Sequence, residues 1–100
     1  MNIAITHHDD TLTVTFDGAL DYTVSAQMES LINDLKAITA GKTVFDLAKV
    51  PRVDSVGLGM LHLAKDAILA AGTRLTLRGA SGNVLRLFEL TDSARCFDIE

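Results

Sequence analysis

The sequence predicts an α/β fold, in which a mixed β-sheet with an N-terminal antiparallel hairpin carries crossover helices mainly on one face. Two runs of alternating apolar and polar residues open the chain and predict the hairpin. Helical stripes then alternate with short apolar runs, the pattern of parallel strands joined by crossover helices. The length of 100 residues suits one hydrophobic core, so we expect residues 1–100 to form a single domain.

Composition excludes several classes of protein. The formal charge is −4 and the basic residues form no run, which argues against a nucleic-acid-binding protein. The single cysteine, Cys96, excludes an internal disulfide and a multi-cysteine zinc site. Charged residues interrupt the most apolar stretch, residues 58–71, and no basic segment leads into an apolar one at the start. We therefore expect no membrane span, no signal peptide and a cytoplasmic location.

The hairpin is predicted on either side of a polar tip, residues 7–10. Ile3 and Ile5 alternate with polar neighbours before the tip, and a second alternating run covers residues 12–16. The tip itself reads His-His-Asp-Asp. Adjacent side chains of an extended segment point to opposite faces, so these residues favour a solvated turn over a metal site.

The first helix is predicted after Gly18, which ends the second strand. Thr23 and Ser25 are both candidate N-caps, and Gly41 is the candidate end of the helix. The apolar run over residues 44–47 then predicts a strand buried beneath helices. The stripe that faces the core has helical spacing and consists of Val24, Met28, Leu31, Ile32, Leu35 and Ile38.

A polar step, Asp54–Ser55, joins this strand to a helix predicted over residues 56–71, with Gly72 as its stop. The hydroxyl of a serine at this place can accept a hydrogen bond from the first free N–H groups and so cap the helix. The same N–H groups and the helix dipole also favour a bound phosphate. Taken alone, the local physics favours the cap, because most serines at helix starts have no other role.

The second helix presents two different faces. Leu58, His62, Lys65 and Leu69 share one face, a mixed surface of the kind that protein partners use. Two interpretations of this face stay open, since either a partner binds it or a neighbouring loop or helix covers it. The face predicted to enter the core carries Met60, Leu61, Ala64, Ala67, Ile68 and Ala71.

The C-terminal third repeats the alternation of strand and helix. Leu75 and Leu77 alternate with polar residues and predict a strand, residues 83–90 predict a third helix, and residues 96–99 predict a last short strand or turn. An enzyme is disfavoured because no histidine has a spacing that supplies Ser55 with a base. No glycine-rich loop of the Walker type, metal site or cofactor site is evident.

The chain resembles the STAS domain family (sulfate transporter and anti-sigma factor antagonist) over almost its whole length. The most specific stretch is residues 45–59, where Phe-Asp-Leu precedes Val-Asp-Ser-Val-Gly-Leu-Gly. Weaker matches are Gly-Ala-Leu-Asp at residues 18–21 and Leu-Arg-Leu-Phe-Glu-Leu-Thr at residues 85–91. The resemblance implies a STAS-like mixed β-sheet and, for a free-standing domain of this length, a bacterial anti-sigma factor antagonist.

The resemblance also implies a role for Ser55, because the serine after the aspartate is the phosphoacceptor in that family. The implied partners are an anti-sigma factor with serine kinase activity, which phosphorylates the serine and releases the antagonist, and a metal-dependent serine phosphatase, which reverses the step. Phosphate adds a charge of about −1.5 to −2, which beside Asp54 and Asp21 repels an acidic partner. The expected partner-binding residues are Asp21, Asp54, Val56, Gly57, Leu58, His62, Lys65 and Leu69.

Two positions depart from the family pattern. Val56 stands where many members carry a second serine or threonine, and Ala19 replaces a common acidic residue. An alternative function is a structural STAS subunit that regulates a larger assembly, such as a lipid-transport ATPase or a signalling complex, with Ser55 acting only as a helix cap. No self-complementary apolar seam is evident beyond the second helix, so we expect a monomer.

Overall fold

The computed structural model describes residues 1–37 and 40–100. Its five strands form one sheet in the order of the sequence. The strands are β1 (Asn2–His8), β2 (Thr11–Asp17), β3 (Lys42–Lys49), β4 (Arg74–Arg78) and β5 (Asp98–Ile99). β1 is antiparallel to β2, and the remaining neighbours are parallel. The predicted mixed sheet with an N-terminal hairpin is therefore confirmed.

Three helices connect the parallel strands. They are α1 (Ser25–Leu35), α2 (Ser55–Ala70) and α3 (Gly82–Leu90), with short 3-10 turns at Tyr22–Val24 and Ser93–Arg95. Each crossover leads to the next strand in the same direction, so the right-handed rule places all three helices on one face of the sheet. None of the described helices has the length and apolar content needed to cross a bilayer.

The hairpin has a narrower tip than the sequence suggests. His7 and His8 pair with β2, so only Asp9 and Asp10 form the connection. Asp9 adopts φ +54°, the left-handed conformation that a tight turn requires and that aspartate tolerates. Both histidines therefore lie in an exposed strand near the turn.

The start of α1 differs from the prediction, because neither Thr23 nor Ser25 caps the helix. The backbone N–H and the hydroxyl of Thr23 both donate to the side chain of Asp21, which caps the preceding 3-10 turn. The Ser25 hydroxyl donates to the Tyr22 carbonyl oxygen at 2.9 Å. Asp21 is the better acceptor because it lies before the first tight turn rather than within it.

The end of α1 was also predicted too late. The helix ends at Leu35, and Gly41 packs against the hairpin tip instead, where its N–H donates to the Asp10 carbonyl oxygen at 3.0 Å. A β-carbon at Gly41 would meet the Asp10 carboxylate, which is exposed. Ile38 lies outside the described residues. The predicted core stripe is confirmed at Val24, Met28, Leu31, Ile32 and Leu35, which are all buried.

The core lies between the sheet and the helices. At its centre the rings of Phe16 and Phe45 meet edge to face, with centroids 5.1 Å apart. The predicted core face of α2 is confirmed at Leu61, Ala64 and Ile68, which are fully buried, whereas Met60 and Ala67 are half-buried and Ala71 is exposed. Gly72, at φ +83°, follows the helix as predicted.

Candidate functional site

The N-cap of α2 is Asp54 and not Ser55. One carboxylate oxygen of Asp54 accepts a hydrogen bond from the Gly57 backbone N–H at 2.7 Å, and the Asp54 backbone is extended. Ser55 occupies the first helical position, is exposed, and its hydroxyl forms no hydrogen bond with the described part of the chain. The prediction that Ser55 caps the helix is therefore wrong, and its hydroxyl is free for another role.

A second loop is fixed against this helix start. The other carboxylate oxygen of Asp54 accepts from the Tyr22 backbone N–H at 3.2 Å. Nearby, the Leu20 N–H donates to the Arg52 carbonyl oxygen at 3.0 Å, and the Asp54 N–H donates to the Leu20 carbonyl oxygen at 3.2 Å. The two loops that follow β2 and β3 therefore form one bonded unit.

Gly57 permits this contact between the loops. It is buried, and a β-carbon at its position would overlap the backbone carbonyl of Leu20. Gly57 was predicted to bind a partner, but its direct structural role is to let the first turn of α2 approach Leu20. Because Gly57 is buried, it offers little surface to a partner.

Asp21 is the most buried charged group of the site, with 5% of its surface exposed. Hydrogen bonds from the hydroxyl and then the backbone N–H of Thr23 lower the pKa of Asp21 below its ordinary value of 3.8. The Arg52 guanidinium, 3.0 Å from the carboxylate, adds to this effect on the pKa against the opposing effect of burial. Asp21 is thus held as an anion close to the start of α2.

Arg52 is a site residue that the sequence reasoning missed. Its guanidinium crosses from the loop after β3 to the carboxylate of Asp21, 31 residues away in the sequence. No local pattern indicates this pair, because the loops meet only through tertiary contacts such as the isolated bridge between Leu20 and Val53.

The C-terminal segment, residues 91–100, covers part of the α2 face that carries His62 and Lys65. The His62 ring packs on Phe97 with centroids 4.8 Å apart, and its Nε2 lies 3.5 Å from the Ser93 hydroxyl. Lys65 donates to the Cys96 carbonyl oxygen at 3.0 Å and lies 5.6 Å from the centroid of the Phe97 ring. For these two side chains, the alternative of a covering loop is the one observed.

The two leucines of that face behave differently. Leu58 is half-buried and packs against the core, whereas Leu69 is 52% exposed. The exposed apolar residues that the sequence reasoning did not place on the surface of α2 include Leu63, at 55% exposure. Val56, at 40% exposure, is another exposed apolar residue of α2.

Among the described residues, no histidine forms a hydrogen bond with Ser55. His7 and His8 lie beside the hairpin tip, at the opposite end of the sheet from the start of α2. His62 contacts Phe97 and Ser93. No group of three described His, Cys, Asp or Glu side chains is arranged to hold a metal ion.

Known proteins resemble this chain over almost its whole length. Residues 2–100 match the family model of the STAS domain. An anti-sigma-B factor antagonist of Staphylococcus epidermidis is 29% identical over 91 residues, which are 91% of this chain and 84% of the relative.

Solved structures share the fold. An anti-sigma factor antagonist from Mycobacterium paratuberculosis superposes with a TM-score of 0.86 at 21% identity, covering 98% of this chain and 83% of the other. The anti-sigma factor antagonist SpoIIAA in its unphosphorylated form gives a TM-score of 0.73 at 15% identity, covering 99% and 87%. At these identities the likeness establishes the fold alone.

Proposed function

Because the chain belongs to the STAS domain family, we propose that it is an anti-sigma factor antagonist controlled by phosphorylation of Ser55. In its unphosphorylated form it binds an anti-sigma factor with serine kinase activity. Phosphorylation of Ser55 by that kinase releases it, and a serine phosphatase restores binding. In this proposal the protein is a cytoplasmic, monomeric regulator and not an enzyme.

The observation that carries the proposal is the free hydroxyl of Ser55 at the start of α2. Because Asp54 supplies the cap, a kinase can modify Ser55 without removing a hydrogen bond that holds the helix. The added charge of about −1.5 to −2 then lies beside the Asp54 carboxylate and near Asp21. The phosphate and the Asp54 carboxylate together repel an acidic partner, and burying the phosphate in a contact costs desolvation.

The predicted partner-binding residues divide into two groups in this proposal. Val56, 40% exposed, and Leu69, 52% exposed, offer apolar contacts directly. Asp21, Asp54 and Gly57 hold the two loops in the shape that the partner meets. Leu58, His62 and Lys65 contribute only their exposed edges, because Leu58 packs on the core and the other two side chains contact the C-terminal segment.

The test is pairwise binding of this protein to each anti-sigma factor encoded in its source genome. We expect one anti-sigma factor to bind the wild type and Ser55→Ala alike, and to phosphorylate only the wild type. Phosphopeptide mapping then locates the label on Ser55. Label on Ser25 or Ser81 in place of Ser55 would contradict the proposal, as would binding to none of the anti-sigma factors.

The alternative of a structural subunit in a larger assembly assumes that Ser55 is only a helix cap. The capping bond from Asp54 removes that assumption. The two functions differ in the phosphorylation state of the protein in cells, since a structural subunit carries no phosphate on Ser55 under any growth condition.

A further inference from the structure

A groove of about 540 Å³ separates α1 from α2 on the side away from the C-terminal segment. Ile32 of α1 and Met60 and Ala67 of α2 form its floor, where Ile32 is buried and the other two are half-buried. Leu63 stands on one wall with 55% of its surface exposed. A leucine in water at the edge of an apolar floor marks a surface suited to binding.

The length of the groove matches about two turns of an α-helix. Its walls run from Glu29 to Lys36 on α1 and from Met60 to Ala67 on α2, a rise of about 10 Å on each helix. Apolar side chains at positions i, i+3 and i+7 of a third helix span the same length. A helix that lies in a groove between two others is a recurring mode of peptide recognition.

The charges on the walls favour a basic occupant. Glu29 and Asp66 stand on opposite walls, with Lys36 as the one cation among the residues that line the groove. None of the three forms an ion pair with another described residue. The groove therefore carries a net charge of −1 with its carboxylates available, which attracts a helix with lysine or arginine beside its apolar face.

No contact within the described fold requires a glycine at position 59. Gly59 is exposed inside α2, four residues before Leu63, and a β-carbon there would meet nothing within 4 Å. A glycine within a helix destabilises it relative to alanine. Unlike Gly57, it serves no internal contact among the described residues, and its bare backbone suits the close approach of another chain.

We propose that the groove between α1 and α2 binds an amphipathic helix of a protein partner, with an apolar face of three residues and basic residues on its flanks. The groove is a surface separate from Ser55, so the proposal goes beyond the phosphorylation switch and holds with or without it.

The test uses stapled helical peptides of about 15 residues with leucine at positions i, i+3 and i+7. One peptide carries lysines on the flanks, a second carries glutamates, and a third has serine in place of the leucines. Titrated into the ¹⁵N-labelled protein, the lysine peptide should shift the amide resonances of Glu29–Lys36 and Gly59–Ala67. The glutamate and serine peptides should bind at least about tenfold more weakly.

Variants of the protein identify the binding surface. Leu63→Glu should reduce the affinity for the lysine peptide at least about tenfold. Leu90→Glu should leave that affinity within about twofold of the wild-type value. Leu90, at the end of α3, is the matched control because it is 73% exposed and does not line the groove. Glu29→Lys should weaken the binding of the lysine peptide and should not weaken the binding of the glutamate peptide. Thermal unfolding checks that each variant remains folded.

Four results would overturn the proposal. The first two are no binding of the lysine peptide at about 1 mM and resonance shifts confined to other surfaces. The third is equal affinity of the lysine and glutamate peptides. The fourth is a shift of the groove resonances with protein concentration in the absence of peptide, which would identify a second copy as the occupant. The peptides need no anti-sigma factor, so failure here is distinguishable from failure of the proposed function. In that case Ser55 phosphorylation would still control the anti-sigma factor while Leu63→Glu bound it normally.

Discussion

The carboxylate of Asp54 accepts a hydrogen bond from the backbone N–H of Tyr22, 32 residues away in the sequence, at 3.2 Å. Its other oxygen accepts from the N–H of Gly57 at 2.7 Å. One side chain thus fixes the first turn of α2 and ties it to the loop after β2. This arrangement leaves the adjacent Ser55 hydroxyl outside the cap, as the proposed phosphorylation requires.

Removing the Asp54 carboxylate should destabilise the domain more than removing the Ser55 hydroxyl. Asp54→Ala loses an N-cap, which is worth about 0.5–2 kcal/mol, together with the tie to Tyr22. Ser55→Ala should change the free energy of unfolding by less than about 0.5 kcal/mol, and Ser81→Ala is a second control because Ser81 makes no capping bond. Urea denaturation measures all three, and equal losses for Asp54→Ala and Ser55→Ala would show that the serine does cap the helix.

The same substitution should have opposite effects at two glycines of α2. Gly57→Ala forces a methyl group against the Leu20 carbonyl and should cost about 1–3 kcal/mol. Gly59→Ala meets open space and should stabilise the helix by about 1 kcal/mol, which raises Tm by roughly 4–8 °C for a domain of this size. Differential scanning calorimetry decides, and a loss of stability at Gly59 would mean that an internal contact requires that glycine.

Stability should fall in acid partly because of Asp21. Hydrogen bonds from Thr23 and then the ion pair with Arg52 lower its pKa below 3.8 in the folded state. Its contribution is therefore complete above the unfolded pKa and is lost as the pH falls through the lower folded pKa. The backbone N–H of Ala48 and then Arg78 lower the pKa of Asp46 in the same direction.

Replacing the Asp21 carboxylate by an amide isolates the contribution of this residue to the loss of stability in acid. In Tm measurements between about pH 2 and pH 6, Asp21→Asn should be less stable than the wild type near neutrality and lose less stability in acid. Asp66→Asn, at an exposed carboxylate that forms no hydrogen bond with the described residues, should follow the wild-type curve. A wild-type acid profile for Asp21→Asn would assign the acid sensitivity to other groups.

Substitutions in the C-terminal segment should destabilise the domain as core substitutions do, whereas substitution of Leu69 on α2 should not. Phe97, 6% exposed, contacts His62, Lys65 and Phe88, so Phe97→Ala should cost about 3–5 kcal/mol. Leu69→Glu, at a 52% exposed position, should change the free energy of unfolding by less than about 0.5 kcal/mol. If the proposed function holds, the same substitution should weaken the binding of the anti-sigma factor. Unfolding of the domain by Leu69→Glu would place this leucine in the core.

Regular elements followed from the sequence because their signals are local. The alternation around the hairpin tip and the helical stripe from Val24 to Leu35 depend on neighbours within one or two turns, and both appear as predicted. The cap of α2 was misassigned because Asp and Ser rank nearly equally as N-caps. The tertiary bond from Tyr22 favours Asp54, and no local rule contains it.

The surface of α2 was harder to predict for a related reason. The helix carries apolar residues around most of its circumference, so the pattern alone does not distinguish Leu58, which is half-buried, from Leu63, which is exposed. What covers His62 and Lys65 is Phe97, more than 30 residues later in the sequence. Arg52 joins Asp21 through the same kind of long-range contact.

The most direct test of the central claim is a calorimetric titration of the cognate anti-sigma factor with three forms of this protein: unmodified, phosphorylated on Ser55, and Ser55→Ala. We predict that the unmodified protein and Ser55→Ala bind within about twofold of each other and that the phosphorylated protein binds at least about tenfold more weakly. Equal affinity of the phosphorylated and unmodified proteins would contradict the claim that Ser55 is the switch.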